Sequence, residues 1–184
     1  MPSVTSLDKQ EYYGFAHNRF WKILHAVFEM PIDTYAQKKE ILFQQHILLW
    51  DVIGECEREG SLDSAIRKER VNDIAHLTAV YPTLHRVICN GRKAYELYQK
   101  HFPNIALPCS YLPSTSNANR SIREEVLFAQ WKQALMEHEV ICEETGKHQR
   151  ARAYGTILYI NHAYRGSMLQ NNANDISGFF SIVG

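Results

Sequence analysis

Three polar segments stand at the ends of short apolar runs, where side chains can meet a ligand. Asp51 lies near the end of Ile47-Leu48-Leu49-Trp50-Asp51-Val52-Ile53, and Asn90 follows His85-Arg86-Val87-Ile88-Cys89. The loop Pro113-Ser114-Thr115-Ser116-Asn117-Ala118-Asn119 follows a third apolar stretch between Ile105 and Leu112, in which Pro108 favours an edge or a bulge. Runs so short and so continuously apolar read as buried strands. In a parallel sheet, ligands bind beyond the C-terminal strand ends, so one edge gathers all three segments. Taken singly, Asn90 and Asn119 also fit ordinary turn or cap positions.

The chemistry these segments offer is that of a polyanion site with neutral polar groups. Helix first turns favour acidic residues, yet the helix after Asn90 opens with Gly91-Arg92-Lys93. Free N–H groups beside two cations suit a phosphate, and a solvated basic turn is the plainer alternative. Ser114-Thr115-Ser116 adds three hydroxyls suited to a phosphodiester, although such residues also populate ordinary turns. Neither a Walker A sequence nor G-x-G-x-x-G occurs, so no nucleotide cofactor is expected. No G-x-S-x-G elbow or Cys/His arrangement provides a covalent nucleophile. The cysteines, Cys56, Cys89, Cys109 and Cys142, form no C-x-x-C pair, and no H-E-x-x-H spacing occurs, so no metal is expected. His17 can serve as a general base or simply be a surface residue, and Tyr12-Tyr13, ahead of a helix, places rings where one can stack on a ligand.

The elements that must position these residues alternate. From Asn18, Phe20, Leu24, Val27 and Phe28 recur at helical spacing until Pro31. A charged helical stretch spans Tyr35 to Gln45, Asn72-Asp73 caps a short helix through Val80, and another helix runs to about His101. Ser121 with Glu124 makes an S-x-x-E capping box before Val126, Leu127, Trp131 and Leu135. Strands alternating with helices predict a parallel α/β sheet.

The chain has 184 residues, enough for one compact domain with an appendage. Its 20 Lys and Arg balance 20 Asp and Glu, so any nucleic-acid role must rest on local charge. No apolar run reaches the 18 or more residues of a membrane span, and Met1-Pro2-Ser3-Val4 does not open a charged region followed by an apolar one, which together with the cysteine pattern predicts reduced thiols in an intracellular protein. Composition shifts after Cys142, where basic residues, a strand-like run from Thr156 to Ile160 and an Asn/Gly/Ser-rich end follow. The expected organisation is a domain at 1–141 and an appendage at 142–184.

Several of these segments, in order, resemble one family. Met1-Pro2-Ser3-Val4-Thr5-Ser6-Leu7, Tyr12-Tyr13-Gly14 and Asn18-Arg19-Phe20-Trp21 resemble the first motif of DNA-deoxyinosine (hypoxanthine) glycosylases of the uracil-DNA glycosylase superfamily. Leu49-Trp50-Asp51-Val52, the stretch from Cys56 to Ile66, Asn72-Asp73, Asn90-Gly91 and Leu112-Pro113-Ser114-Thr115-Ser116 with Asn119 continue the match. The resemblance covers Met1 to about Met136 and implies an α/β protein with three layers, α/β/α, around a short central parallel sheet.

It also implies a monofunctional, cofactor-free enzyme that flips a deaminated base out of DNA, at a cost of a few kcal/mol in stacking and pairing. Hypoxanthine is the leading substrate, with uracil and xanthine as related ones. C–N cleavage through an oxocarbenium-like state needs a placed water, by analogy with sugar hydrolysis. By its match to the motif, Asn18 is the catalytic residue that positions water. The resemblance likewise implies that Tyr13 stacks on the flipped base and that Asp51 reads it. Asn90, Gly91, Arg92, Lys93, Ser114, Thr115, Ser116 and Asn119 form the DNA-binding set. Leu112 stands where other branches carry a catalytic His. The implied partner is DNA containing a deaminated base, the expected state a monomer, and the expected location the cytoplasm, or the nucleus of a eukaryote.

Two departures are visible. Gly14-Phe15-Ala16-His17 replaces a stretch that usually contains His-Pro, removing a rigid turn beside Asn18. The family also has an apolar strand leading into Gly-Ser/Thr-Met-Pro, whereas this chain begins at Met1-Pro2, so the first strand, a central one, is expected to be missing. These departures leave a second reading open: a catalytically impaired DNA-binding relative of the same fold. A non-DNA α/β domain is the third.

Overall fold

The structure, a computed structural model, describes residues 11–57, 67–136 and 156–161. Helix α1 (Phe20–Phe28) buries Phe20, Trp21, Ile23 and Leu24, the stripe expected from its spacing. It stops where Glu29 adopts a left-handed conformation, φ 57°, with its N–H on the His25 carbonyl. Helix α2 (Tyr35–Gln44) opens on a capping box in which Thr34 and Gln37 satisfy each other's backbone N–H.

The apolar run at 47–53 is two strands rather than one. β1 (Ile47–Asp51) ends before Val52, and β2 (Ile53–Glu57) turns away to pair antiparallel with β3 (Arg67–Val71). Asn72 holds the break: its side-chain amide donates to the Asp51 carbonyl at 2.8 Å and its backbone N–H to that of Val52 at 2.8 Å. The two-stranded sheet gave no sequence signal because β3, Arg-Lys-Glu-Arg-Val, lacks apolar alternation.

Asp73 caps α3 (Ile74–Val80) through the His76 N–H, as its position predicts. Then follow β4 (Leu84–Asn90), α4 (Arg92–His101), β5 (Cys109–Leu112), α5 (Glu124–Met136) and β6 (Thr156–Asn161). The expected capping box at Ser121 does not form. Helix α5 begins only at Glu124, and the Ser121 hydroxyl donates instead to Asn119 Oδ1 at 2.7 Å.

The main sheet is parallel, in the order β1-β6-β4-β5. One apolar cluster joins Ile47, Leu49, Ile88 and Leu112 to α1 and α5, and the other joins Leu48, Val87 and Cys89 to α3 and α4. Alternating strand residues therefore feed opposite faces, which makes three layers, α/β/α. The sheet has no gap at its centre. The strand-like run of the 142–184 segment is β6, and it lies between β1 and β4 with Tyr159 opposite both Leu49 and Ile88. A segment expected only to follow the domain thus contributes an inner strand. The remainder of that segment, and the motif residues at 1–10 and 58–66, lie outside the described residues.

Candidate active site

Strand parity decides where the polar strand ends point. Asp51 shares parity with Ile47 and Leu49, and Asn90 with Ile88, so both belong to the α1 face of the sheet. Asn161 ends β6 in register with Asp51. Three neighbouring strands thus finish on polar residues at one edge, and the third was not foreseen.

Tyr13 enters this edge from the N-terminal segment. Its ring lies 4.3 Å from that of Phe20 and meets Trp21 edge-on, while the Trp21 indole N–H fixes the chain by donating to the Tyr12 carbonyl at 2.9 Å. Its backbone sits in the left-handed region, φ 53°, uncommon for a bulky residue and characteristic of a site that over-determines its geometry. The Tyr13 hydroxyl accepts a hydrogen bond from Asn90 Nδ2 at 3.0 Å. Burial pushes the Tyr13 phenol far above its ordinary range; the Asn90 bond pulls the other way, and nearby Asp51 raises it further. Tyr13 is a neutral phenol at every ordinary pH.

Asn90 is the junction of the site. Besides Tyr13, it donates to Thr115 Oγ1 and accepts from the Thr115 N–H, each at 3.0 Å. Asn90 and Thr115 are buried and bonded to each other, so they hold the loop at 113–119 from within rather than face solvent. Gly91 is required beside them. Its φ is 96°, and a Cβ there would stand 3.2 Å from that of Ser114. Arg92 is exposed with its guanidinium over the Tyr111 ring, and Lys93 is half-buried.

The loop itself is closely tied. Trp131 of α5 donates to the Pro113 carbonyl at 3.0 Å, and the Asn119 amide reaches back to the Ser114 carbonyl at 3.0 Å. Ser114 Oγ accepts from the Ser116 N–H and Ser116 Oγ from the Ala118 N–H. Both hydroxyl oxygens thus accept from N–H groups of their own loop, and each hydroxyl keeps one proton to donate. Arg19, not singled out in the sequence, is buried and reaches the carbonyls of this loop.

Asn18 lies half-buried just ahead of α1, its Oδ1 accepting the Phe20 N–H at 3.0 Å. This helix-start bond leaves the second lone pair and the amide N–H groups for a ligand. His17 is exposed, with its ring 5.3 Å from Phe15. An open cavity of about 430 Å³ lies elsewhere, between β5 and α5, lined by Arg86, Tyr111 and Gln130 among others; Tyr13, Asn18, Asp51 and Asn90 take no part in it. Among the described residues, no group of three or more His, Cys, Asp or Glu could hold a metal, and no helix is long and apolar enough to cross a membrane.

A three-layer α/β/α fold around a parallel sheet, with an aromatic ring, a carboxylate and the Asn90 amide gathered at the C-terminal edge of its strands, is of the uracil-DNA glycosylase type. A solution NMR structure from Methanosarcina acetivorans, provisionally assigned as a uracil DNA glycosylase, superposes with a TM-score of 0.63 at 36% identity, over 73% of this chain and 83% of that one. No protein-family profile matches the chain. The Hypoxanthine DNA glycosylase of Methanosarcina acetivorans is 41% identical over 122 residues, 65% of this chain and 77% of the relative. That of Methanosarcina barkeri is 33% identical over the same shares. The chain belongs to the hypoxanthine DNA glycosylase family, enzymes that hydrolyse N-glycosidic bonds in DNA.

Proposed function

We propose that this protein excises hypoxanthine from DNA, with uracil and xanthine as related substrates, as a monomer that uses neither metal nor cofactor. The observation that carries the reading is the hydrogen-bonded junction of Tyr13, Asn90 and Thr115, which unites three segments of the ordered motifs at the sheet edge. In this reading the base leaves the helix and stacks on the Tyr13 ring, whose hydroxyl is already anchored. As a carboxylate, Asp51 accepts the ring N–H that hypoxanthine and uracil both carry. Asn18 places a water beside the sugar. The water oxygen bonds to C1′ as the bond to the base breaks, the electron pair of that bond leaves with the base, and the water's proton passes to solvent. A neutral amide holds water without titrating near neutral pH, so Asn18 needs no pKa adjustment.

The DNA backbone rests on the Ser114 and Ser116 hydroxyl protons, with Arg92 and Lys93 supplying local charge that the balanced whole lacks. Asn90, Gly91, Thr115 and Asn119 shape that surface. Free thiols at Cys89 and Cys109 fit a reducing location, the cytoplasm or the nucleus of a eukaryote.

The test is excision from a labelled duplex containing one deoxyinosine, beside duplexes with uracil, with xanthine and with no lesion. Alkali-labile abasic sites at deoxyinosine are expected. Folded protein that binds the duplex and never produces them overturns the enzyme reading in favour of a catalytically impaired binding relative.

A further inference from the structure

Arg19 has an unusual set of partners. Its guanidinium donates through Nη2 to the carbonyls of Ser116 at 2.6 Å, Asn119 at 3.1 Å and Ser114 at 3.4 Å, and through Nε to that of Thr115 at 3.3 Å. The Arg19 backbone N–H also donates to the Thr115 carbonyl, at 3.1 Å. Four carbonyls of the loop at 113–119 converge on a side chain only 8% exposed. A buried charge is costly unless compensated, and oriented carbonyl dipoles provide the compensation here without cancelling the charge.

We infer that Arg19 is the positioning residue that sets the DNA-gripping loop at 113–119 relative to Asn18; this rests on the functional reading above. The argument is geometric. Arg19 is covalently next to Asn18, which places the water, and its side chain holds the carbonyls of the segment that carries the Ser114 and Ser116 hydroxyls. One residue therefore ties the water-placing amide to the backbone-gripping loop. A misplacement of about 1 Å between such groups costs roughly 100-fold in rate. The partners being neutral, a full positive charge also stays beneath the loop, favouring a phosphate above it.

A planar fork suits four divergent acceptors, whereas the compact ammonium of lysine does not. Arg19→Lys keeps the charge and loses the fork. Single-turnover excision of deoxyinosine by Arg19→Lys is expected to fall on the order of 100-fold, with duplex affinity falling much less and unfolding still cooperative at a lowered melting temperature. Guanidinium ion at millimolar concentration, against an equal concentration of NaCl, is expected to restore part of the rate and affinity of Arg19→Ala, and nothing to Asn18→Ala. Native rate and affinity in Arg19→Lys overturn the inference, as does a folded, slowed Arg19→Ala that guanidinium fails to restore. A native chain that leaves deoxyinosine intact overturns the functional reading alone; the loop-setting role is then decided by whether Arg19→Lys weakens duplex affinity and guanidinium restores it in Arg19→Ala.

Discussion

Asn90 and Thr115, 25 residues apart, exchange two hydrogen bonds of 3.0 Å: the Asn90 amide donates to the Thr115 hydroxyl, and the Thr115 N–H donates to the Asn90 carbonyl oxygen. This pair locks the end of a sheet strand to the loop that follows the next strand. With Tyr13 on the same amide, Asn90→Ala orphans three buried polar groups. The expected loss is on the order of 3 kcal/mol, since each unsatisfied buried group costs about 1–3 kcal/mol. Thermal unfolding should show a melting temperature lower by roughly 6–12 °C for a chain of this size.

Asn18 is expected to separate stability from turnover. Losing its bond to the Phe20 N–H costs about 1 kcal/mol, the usual value of such a helix-start bond. Losing the placed water costs on the order of 100-fold in single-turnover excision. Asn18→Ala should therefore unfold slightly early, bind duplex DNA as the native protein does, and leave deoxyinosine largely uncut. Equal losses in binding and excision would instead make Asn18 a structural residue.

Gly91→Ala tests the contact between the start of α4 and the loop. Both the φ of 96° and the 3.2 Å approach to Ser114 oppose a side chain. The substitution is expected to destabilise by about 1–3 kcal/mol and to weaken duplex affinity by displacing Ser114. Chemical denaturation and fluorescence anisotropy measure the two effects; unchanged affinity in the folded variant would detach Ser114 from DNA binding.

Cys89 and Cys109 lie side by side on adjacent strands with sulfurs 3.6 Å apart. Hydrogen bonding to Cys89 lowers the Cys109 thiol below its ordinary value, outweighing burial, whereas that same bond and burial push Cys89 far up. Cys109 consequently loses its proton first as pH rises, and its thiolate is the nucleophile. Alkylation mapped by mass spectrometry should modify Cys109 before Cys89, with a midpoint below that of a free thiol. Cys89→Ala should move that midpoint upward; an unchanged midpoint would show that the pair does not share a proton.

β6 is paired on both sides, so its backbone matters whatever its side chains do. Proline inside such a strand removes a donor from the ladder and is confined in natural sheets to edges and bulges. Tyr159→Pro is expected to abolish cooperative unfolding or lower the melting temperature sharply. An unchanged melting curve would remove β6 from the sheet.

Much of this architecture was legible locally. The stripe of Phe20 and Leu24, the cap at Asp73 and the apolar runs of β1 and β4 depend on neighbours a few residues away, and such patterns survive in one dimension. Local patterns also misled where another partner won. Ser121 has the right spacing for a capping box but bonds Asn119, two residues before it, and the run at 47–53 breaks because the distant Asn72 takes the carbonyls of Asp51 and Val52. The family motifs named Tyr13, Asn18, Asp51 and Asn90 without saying which of them touch.

By itself, then, the sequence determined the α/β alternation, the family and the residue types of the site, because periodicity, capping and motif order are properties of short stretches. Tertiary structure alone decided that Tyr13 bonds Asn90, that Arg19 gathers the loop carbonyls, and that a strand from beyond residue 155 stands inside the sheet. Those contacts join residues tens of positions apart. Their formation depends on strand order, register and burial, and no short stretch of chain carries that information.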